Sequence, residues 1–183
     1  MCAAITLKTE RMELVAITEA LAEAELGDLS FLSRLLNARV PENWPPGGTD
    51  EESVRCSLRE LQRDPAQIGW LCWYFVLLAG PEGNRVLIGK GGFGGKPEPE
   101  GTVNIGYSLV EQFRGHGYAT EALRKLISWA LTIPEVNLIV ANVRQQQEES
   151  IGVLEGCGFV RSSGESEADT VCYEVSRASF VSG

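Results

Sequence analysis

The residues Gln112-Phe113-Arg114-Gly115-His116-Gly117-Tyr118-Ala119 have the makings of an anion site. Two glycines one residue apart let the backbone turn tightly and leave its N–H groups unscreened by a Cβ, so several can converge on one ligand oxygen. Helical periodicity begins at Ala119. The first turn of a helix adds N–H groups without intrahelical partners and about half a positive charge, a combination that favours phosphate or pyrophosphate. Arg114 and His116 place basic side chains beside the same spot. Two nucleotide motifs fit this spacing badly. The Walker loop needs Gly-Lys-Ser/Thr, and no Lys follows Gly117; the dinucleotide fingerprint needs a glycine or alanine where this chain has Thr120.

What does fit is the pattern [QR]-x-x-G-x-[GA] over Gln112 to Gly117, and here the chain resembles the GNAT superfamily of N-acetyltransferases. The resemblance continues through Ser150-Ile151-Gly152-Val153-Leu154-Glu155-Gly156-Cys157-Gly158-Phe159, which looks like that family's second motif. The opening Thr9-Glu10-Arg11-Met12-Glu13-Leu14 looks like the subgroup of ribosomal-protein N-terminal acetyltransferases. The three motifs span nearly the whole chain in order, so residues 1–183 are expected to form one such domain.

The resemblance implies acetyl-coenzyme A as acyl donor, with no metal. Its pyrophosphate would lie on Gln112, Arg114, Gly115, His116, Gly117, Tyr118, Ala119 and Thr120, and its pantetheine would pair with backbone at Leu109 and Val110. His116 is the only histidine and imidazole is the usual base near neutral pH, yet in the family's loop this position is an interchangeable basic residue on the phosphate side, so it is assigned to binding.

Three positions depart from the family's pattern. The frequent Asn before the second motif falls on Gln147; the tyrosine that protonates the leaving thiolate in several branches falls on Leu154; and the carboxylate base of the fourth strand falls on Asn104. Asparagine orients a water or an amine but takes no proton at neutral pH. Ser150 has two readings, proton donor to the thiolate or N-cap of its helix. The implied activity is transfer of an acetyl group to a primary amine, on a peptide N-terminus or a small molecule, by direct attack without a covalent enzyme intermediate. A non-catalytic acyl-CoA-binding sensor is the alternative, given the missing Tyr and Glu.

Composition agrees with one well-buried core: 183 residues, 44% hydrophobic and 22% charged. A net charge of −9, from 16 basic and 25 acidic residues, leaves no basic face for nucleic acid and would attract cationic partners such as amines. Cys2, Cys56, Cys72, Cys157 and Cys172 are scattered without a Cys-x-x-Cys pair, which reads as reduced thiols in the cytosol rather than a disulfide or metal framework. Cys157 and Cys172 sit in apolar contexts and read as structural thiols. Charges interrupt residues 1–14, unlike a signal peptide, and the apolar run 68–80 is too short for a bilayer. The acceptor, the acyl-chain preference and whether the chain forms a homodimer are not written in the sequence.

The elements that must hold this chemistry follow from periodicity. Residues 7–17 read as a first strand, after which Thr18 caps a segment of helical periodicity to Leu36. Residues 41–48 are a Pro- and Gly-rich loop, and Thr49 or Asp50 caps a helix with Val54, Leu58 and Leu61 on one face. A hairpin joins 70–78 to 85–89, and 91–100 reads as a bulged strand edge with an exposed loop rather than a lid. Residues 103–110 form the fourth strand, 119–131 a helix with an apolar stripe, 136–143 a fifth strand buried on both faces, and 170–175 a late strand. Trp44, Trp70, Trp73 and Tyr74 line an acceptor pocket or belong to the core. The pattern predicts an α/β (α+β) domain. The family's version has a mixed, mostly antiparallel central sheet flanked by helices and splayed between the fourth and fifth strands.

Overall fold

In the computed structural model, which describes residues 5–163 and 169–180, the N-terminal alternation forms a hairpin rather than the single strand expected. Strands β1 (Thr6–Lys8) and β2 (Met12–Ala16) pair antiparallel. The Thr9 hydroxyl closes the turn by donating to the Met12 carbonyl and accepting from its N–H. Neither Gly nor Pro marks that turn, so pattern alone did not reveal it.

Thr18 caps α1 (Glu19–Gly27), its side chain accepting from the Leu21 N–H. The expected single helical segment is broken at Asp28, which ends α1 and whose carboxylate caps α2 (Leu29–Leu36). Asp50, not Thr49, caps α3 (Glu51–Arg63). The hairpin arms are β3 (Cys72–Leu77) and β4 (Val86–Phe93), so the second arm runs past Gly89 and absorbs Gly91 to Phe93. Gly89 and Gly91 allow this, because a Cβ on either would lie about 2.5–2.7 Å from backbone oxygens of the next strand.

That strand is β5 (Thr102–Leu109), followed by α4 (Tyr118–Leu131), β6 (Leu138–Arg144), α5 (Glu148–Gly156), β7 (Val160–Arg161) and β8 (Thr170–Ser176). The sheet order is β1-β2-β3-β4-β5-β6-β8-β7, antiparallel except between β5 and β6. These two pair only at Thr102–Asn104 with Leu138–Val140, and beyond that register they part. The expected splay is present. The extra N-terminal strand makes it fall between the fifth and sixth strands in chain order.

The stripe of α4, including Ala122, Leu123, Leu126 and Ile127, is fully buried against the sheet. β6 departs from expectation: Ile139, Ala141 and Val143 are buried while Asn142 and Arg144 are exposed, so only one face is covered. Trp70, Trp73, Phe93 and Trp129 pack ring against ring with centroids 5.0–5.8 Å apart. Among the described residues, no helix is long and apolar enough to cross a membrane.

Candidate acyl-transfer cleft

Where β5 and β6 diverge, a cleft of about 1340 Å³ opens through the sheet. One end is the glycine loop. Gly115 and Gly117 take φ of 74° and 78°, the left-handed region that favours glycine, and Gly117 leads directly into α4. Among the described residues, none accepts a hydrogen bond from the N–H groups of residues 115–120. A Cβ on Gly115 would meet nothing within 4 Å, so the loop is open on the ligand side. Six unpaired donors at a helix N-terminus in an open concavity fit a pyrophosphate.

A contact that sequence reasoning missed holds the loop from behind. Arg11, in the β1–β2 turn, gives its backbone N–H and its Nε to the two carboxylate oxygens of Glu121 at 2.9 and 2.6 Å. Its Nη1 donates to the His116 carbonyl at 2.9 Å, and its guanidinium lies 4.5 Å above the Tyr118 ring. Burial opposes ionisation of Glu121, but hydrogen bonds from Thr9 and Arg11 outweigh it and hold the carboxyl below its ordinary pKa. The sign follows: this stabilisation is fully present above the ordinary glutamate value of about 4.3 and is lost as pH falls through the depressed folded value. Arg11 is half exposed, so the clamp is worth little in stability. Its expected effect is on the loop. Arg11→Ala should raise the Kd for coenzyme A by up to about fivefold, read by calorimetry; unchanged affinity would mean the loop keeps its shape unaided.

The predicted binding residues divide. Arg114, Gly115, Gly117, Tyr118, Ala119 and Thr120 wall the loop end of the cleft, and Leu109, Gln147 and Ser150 line its length. Val110 is buried, with its N–H bonded to the Ile88 carbonyl, and Gln112 is exposed; neither lines the cleft. The His116 side chain turns back, its Nδ1 2.6 Å from the Arg114 carbonyl and its ring stacked on Tyr118. Arg114 Nε donates to the Leu109 carbonyl at 3.2 Å, tying the loop to the end of β5.

Ser150 is not the helix cap. Gln147 occupies the N-cap of α5 without a side-chain cap bond, and Ser150 sits in the first turn behind it. Its hydroxyl instead meets the Tyr107 phenol on β5. Burial raises the Tyr107 pKa and the bond to Ser150 only partly offsets this, so the phenol is protonated at neutral pH. Tyr107 was visible in the sequence within Ile105-Gly106-Tyr107, but nothing local paired it with a serine 43 residues on. Asn104 also lines the cleft, exposed. Side chains alternate along a strand, so Asn104, Gly106 and Ser108 face the α1–α3 side of β5, whereas Tyr107 faces α4 and α5.

Trp44, Trp70, Trp73 and Tyr74 are at most 8% exposed and none lines the cleft, so the core reading holds. Cys56, Cys72, Cys157 and Cys172 are free thiols; Cys2 lies outside the described residues. Burial pushes Cys157 up to about 11 and Cys72 up to about 12, which makes both poor nucleophiles. Among the described residues, no group of three or more His, Cys, Asp or Glu side chains is placed to hold a metal ion.

The sequence model of the Acetyltransferase (GNAT) domain matches residues 13–160. An uncharacterized N-acetyltransferase of Bacillus subtilis, YjdG, is 28% identical over 156 residues, covering 85% of this chain and 90% of that protein. Among solved structures, a ribosomal-protein alanine acetyltransferase from Vibrio fischeri superposes with a TM-score of 0.64 at 20% identity, covering 97% of this chain and 99% of that one. RimL, a ribosomal alpha-N-protein acetyltransferase in complex with coenzyme A, superposes at 0.63 with 19% identity over 94% of this chain and 98% of that one.

Proposed function

The chain belongs to the acetyltransferase (GNAT) family, and from that premise we propose that it is an acetyl-CoA-dependent N-acetyltransferase of the cytosol, one domain long, acting on a primary α-amine. The observation that carries this reading is the row of unpaired N–H groups at residues 115–120 opening onto a cleft between diverging strands. Arg114, Gly115 and Gly117 with the first turn of α4 would hold the pyrophosphate, and the free edge of β5 near Leu109 would run beside the pantetheine.

When bound, acetyl-CoA supplies an activated thioester. The acceptor's nitrogen lone pair forms the new C–N bond as the C–S bond breaks, the amine gives up one proton, and the departing sulfur takes one. In this reading Ser150 and Tyr107 hold the proton for sulfur on one face of β5, and Asn104 orients the amine or a water on the other. The free cysteines fit a reducing compartment.

Because Asn104 stands where a carboxylate base would, the acceptor must arrive neutral largely on its own. At pH 7 deprotonating a lysine side chain costs ~4.6 kcal/mol, whereas an α-amine costs only ~1–1.4 kcal/mol. Acetylation of a peptide α-amine, or of a small α-amine of similarly low pKa, is therefore expected to exceed that of a lysine ε-amine in kcat/KM, measured with acetyl-CoA and a mixed acceptor panel. Faster lysine acetylation would sink the assignment and require a base elsewhere; among the described residues, Glu148 and Glu149 at the start of α5 are the carboxylates that line the cleft. The second reading, a non-catalytic acyl-CoA sensor, is favoured by the same Asn104 and would appear as coenzyme A binding without turnover.

A further inference from the structure

A buried ion pair lies on the acceptor side of the cleft. Lys90 on β4 is 3% exposed and donates from Nζ to Glu25 Oε1 at 2.8 Å. Glu25 reaches it from α1, where its side chain is 5% exposed. The same carboxylate accepts from Trp44 Nε1 at 2.9 Å and from the Tyr74 phenol at 2.6 Å. Burying two charges costs several kcal/mol per ion, which makes the pair a candidate for function.

The donors and acceptors do not balance. Glu25 accepts from three donors, and two of them, Trp44 and Tyr74, are neutral, so its charge is shared away from the lysine. An ammonium has three N–H groups; among the described residues Lys90 gives one of them to a hydrogen-bond acceptor, and its Nζ also lies 5.6 Å from the centre of the Trp44 ring. Lys90 itself lines the cleft. It stands opposite Ser108 in the β4–β5 register, next to Gly92 and Gly106, on the face that also carries Asn104. The lining residues contributed from residues 17–57, such as Thr49, Ser53 and Ser57, are uncharged, and so is Cys72 beside it. Among the described residues, Lys90 is the one charged side chain on that wall between the anion loop and Gly94. Gly106 leaves open space in front of it, since a Cβ there would meet nothing within 4 Å.

We propose that Lys90, held by Glu25, is the specificity-determining contact of the acceptor pocket, and that the acceptor is a small amino carboxylate whose carboxylate binds Lys90 while its amine lies toward Asn104. The inference rests on the acetyltransferase reading above and narrows it. Along β5, Ser108 and Asn104 are four residues apart, roughly 13 Å, so an amine between them and a carboxylate at Lys90 belong to a compact molecule.

The test compares leucine, leucinamide, 3-methylbutylamine and an unmodified octapeptide as acceptors, with kcat/KM expressed per neutral amine. Leucine is expected to exceed leucinamide and the decarboxylated amine by tenfold or more. In Lys90→Gln/Glu25→Gln, which removes both charges together and avoids leaving one buried alone, acid and amide should be acetylated equally, with the KM for acetyl-CoA unmoved. Equal or faster turnover of leucinamide, or of the octapeptide, by the unmodified enzyme overturns the proposal and leaves the transferase standing; this comparison does not need the variant to fold. A rise in the acetyl-CoA KM of the variant, alike for all acceptors, reassigns Lys90 to the donor and also overturns it. Coenzyme A binding with no turnover of any acceptor sinks the transferase reading itself.

Discussion

Gly117→Val is expected to weaken coenzyme A binding at least tenfold, and up to a hundredfold, with the fold retained. Gly117 holds φ 78° and ψ 3° immediately before α4. An L residue pays roughly 1–2 kcal/mol to sit in that region, and a β-branched residue more, so the backbone at 115–118 would relax toward negative φ. Space is a lesser matter, since the nearest atom to an added Cβ is Arg11 Nη2 at 3.4 Å. The harm comes through direction: relaxation would turn one N–H group away from the pyrophosphate. Each charge-assisted hydrogen bond contributes roughly 1.5–3 kcal/mol, and every ~1.4 kcal/mol is a factor of ten. Gly27→Ala, at the end of α1 with open space around the added Cβ, is the control that should bind normally. Isothermal calorimetry with coenzyme A decides between them. Equal affinity of the Gly117 variant would remove the loop from the binding account.

Ser150→Ala and Tyr107→Phe are each expected to lower kcat tenfold or more while leaving coenzyme A affinity nearly unchanged. A hydroxyl that donates to sulfur as negative charge develops makes a contact stronger in the transition state than in the ground state, and such contacts appear in the rate. The Tyr107 phenol, kept protonated by burial, can hold or replace the Ser150 proton. Two groups serving one relay, as proposed, would make the double variant little worse than either single one. Ser150 makes no cap, so the melting temperature of Ser150→Ala should move little. A normal kcat in both variants, with acetyl-CoA saturating, would leave the thiolate to be protonated by water.

The shape of the glycine loop was legible in the sequence because its determinants are local. Glycine spacing sets the φ angles at 115 and 117, and the apolar stripe from Ala119 sets the helix that follows. Strand and helix identities were legible for the same reason, since periods of 2 and 3.6 report which face is buried. Where local signals were weak, the reading slipped. The Thr9 turn carries no Gly or Pro; Asp28 ends one helix and begins the next with a single side chain; Ser150 looked like a cap because serine is a good one.

Sequence alone determined the family, through three motifs in order along the chain, and the tight glycine loop before α4, because the residues within each motif are adjacent along the chain. Only the tertiary structure decided that Arg11 braces that loop from 105–110 residues away, that Tyr107 meets Ser150, and that Lys90 faces the cleft with Glu25 behind it. Pairings of this kind depend on strand register and on which face of β5 a side chain occupies. A one-residue slip would move Asn104 and Lys90 to the opposite face, and nothing in a lysine's immediate neighbours tells whether a carboxylate 65 positions earlier will be waiting there.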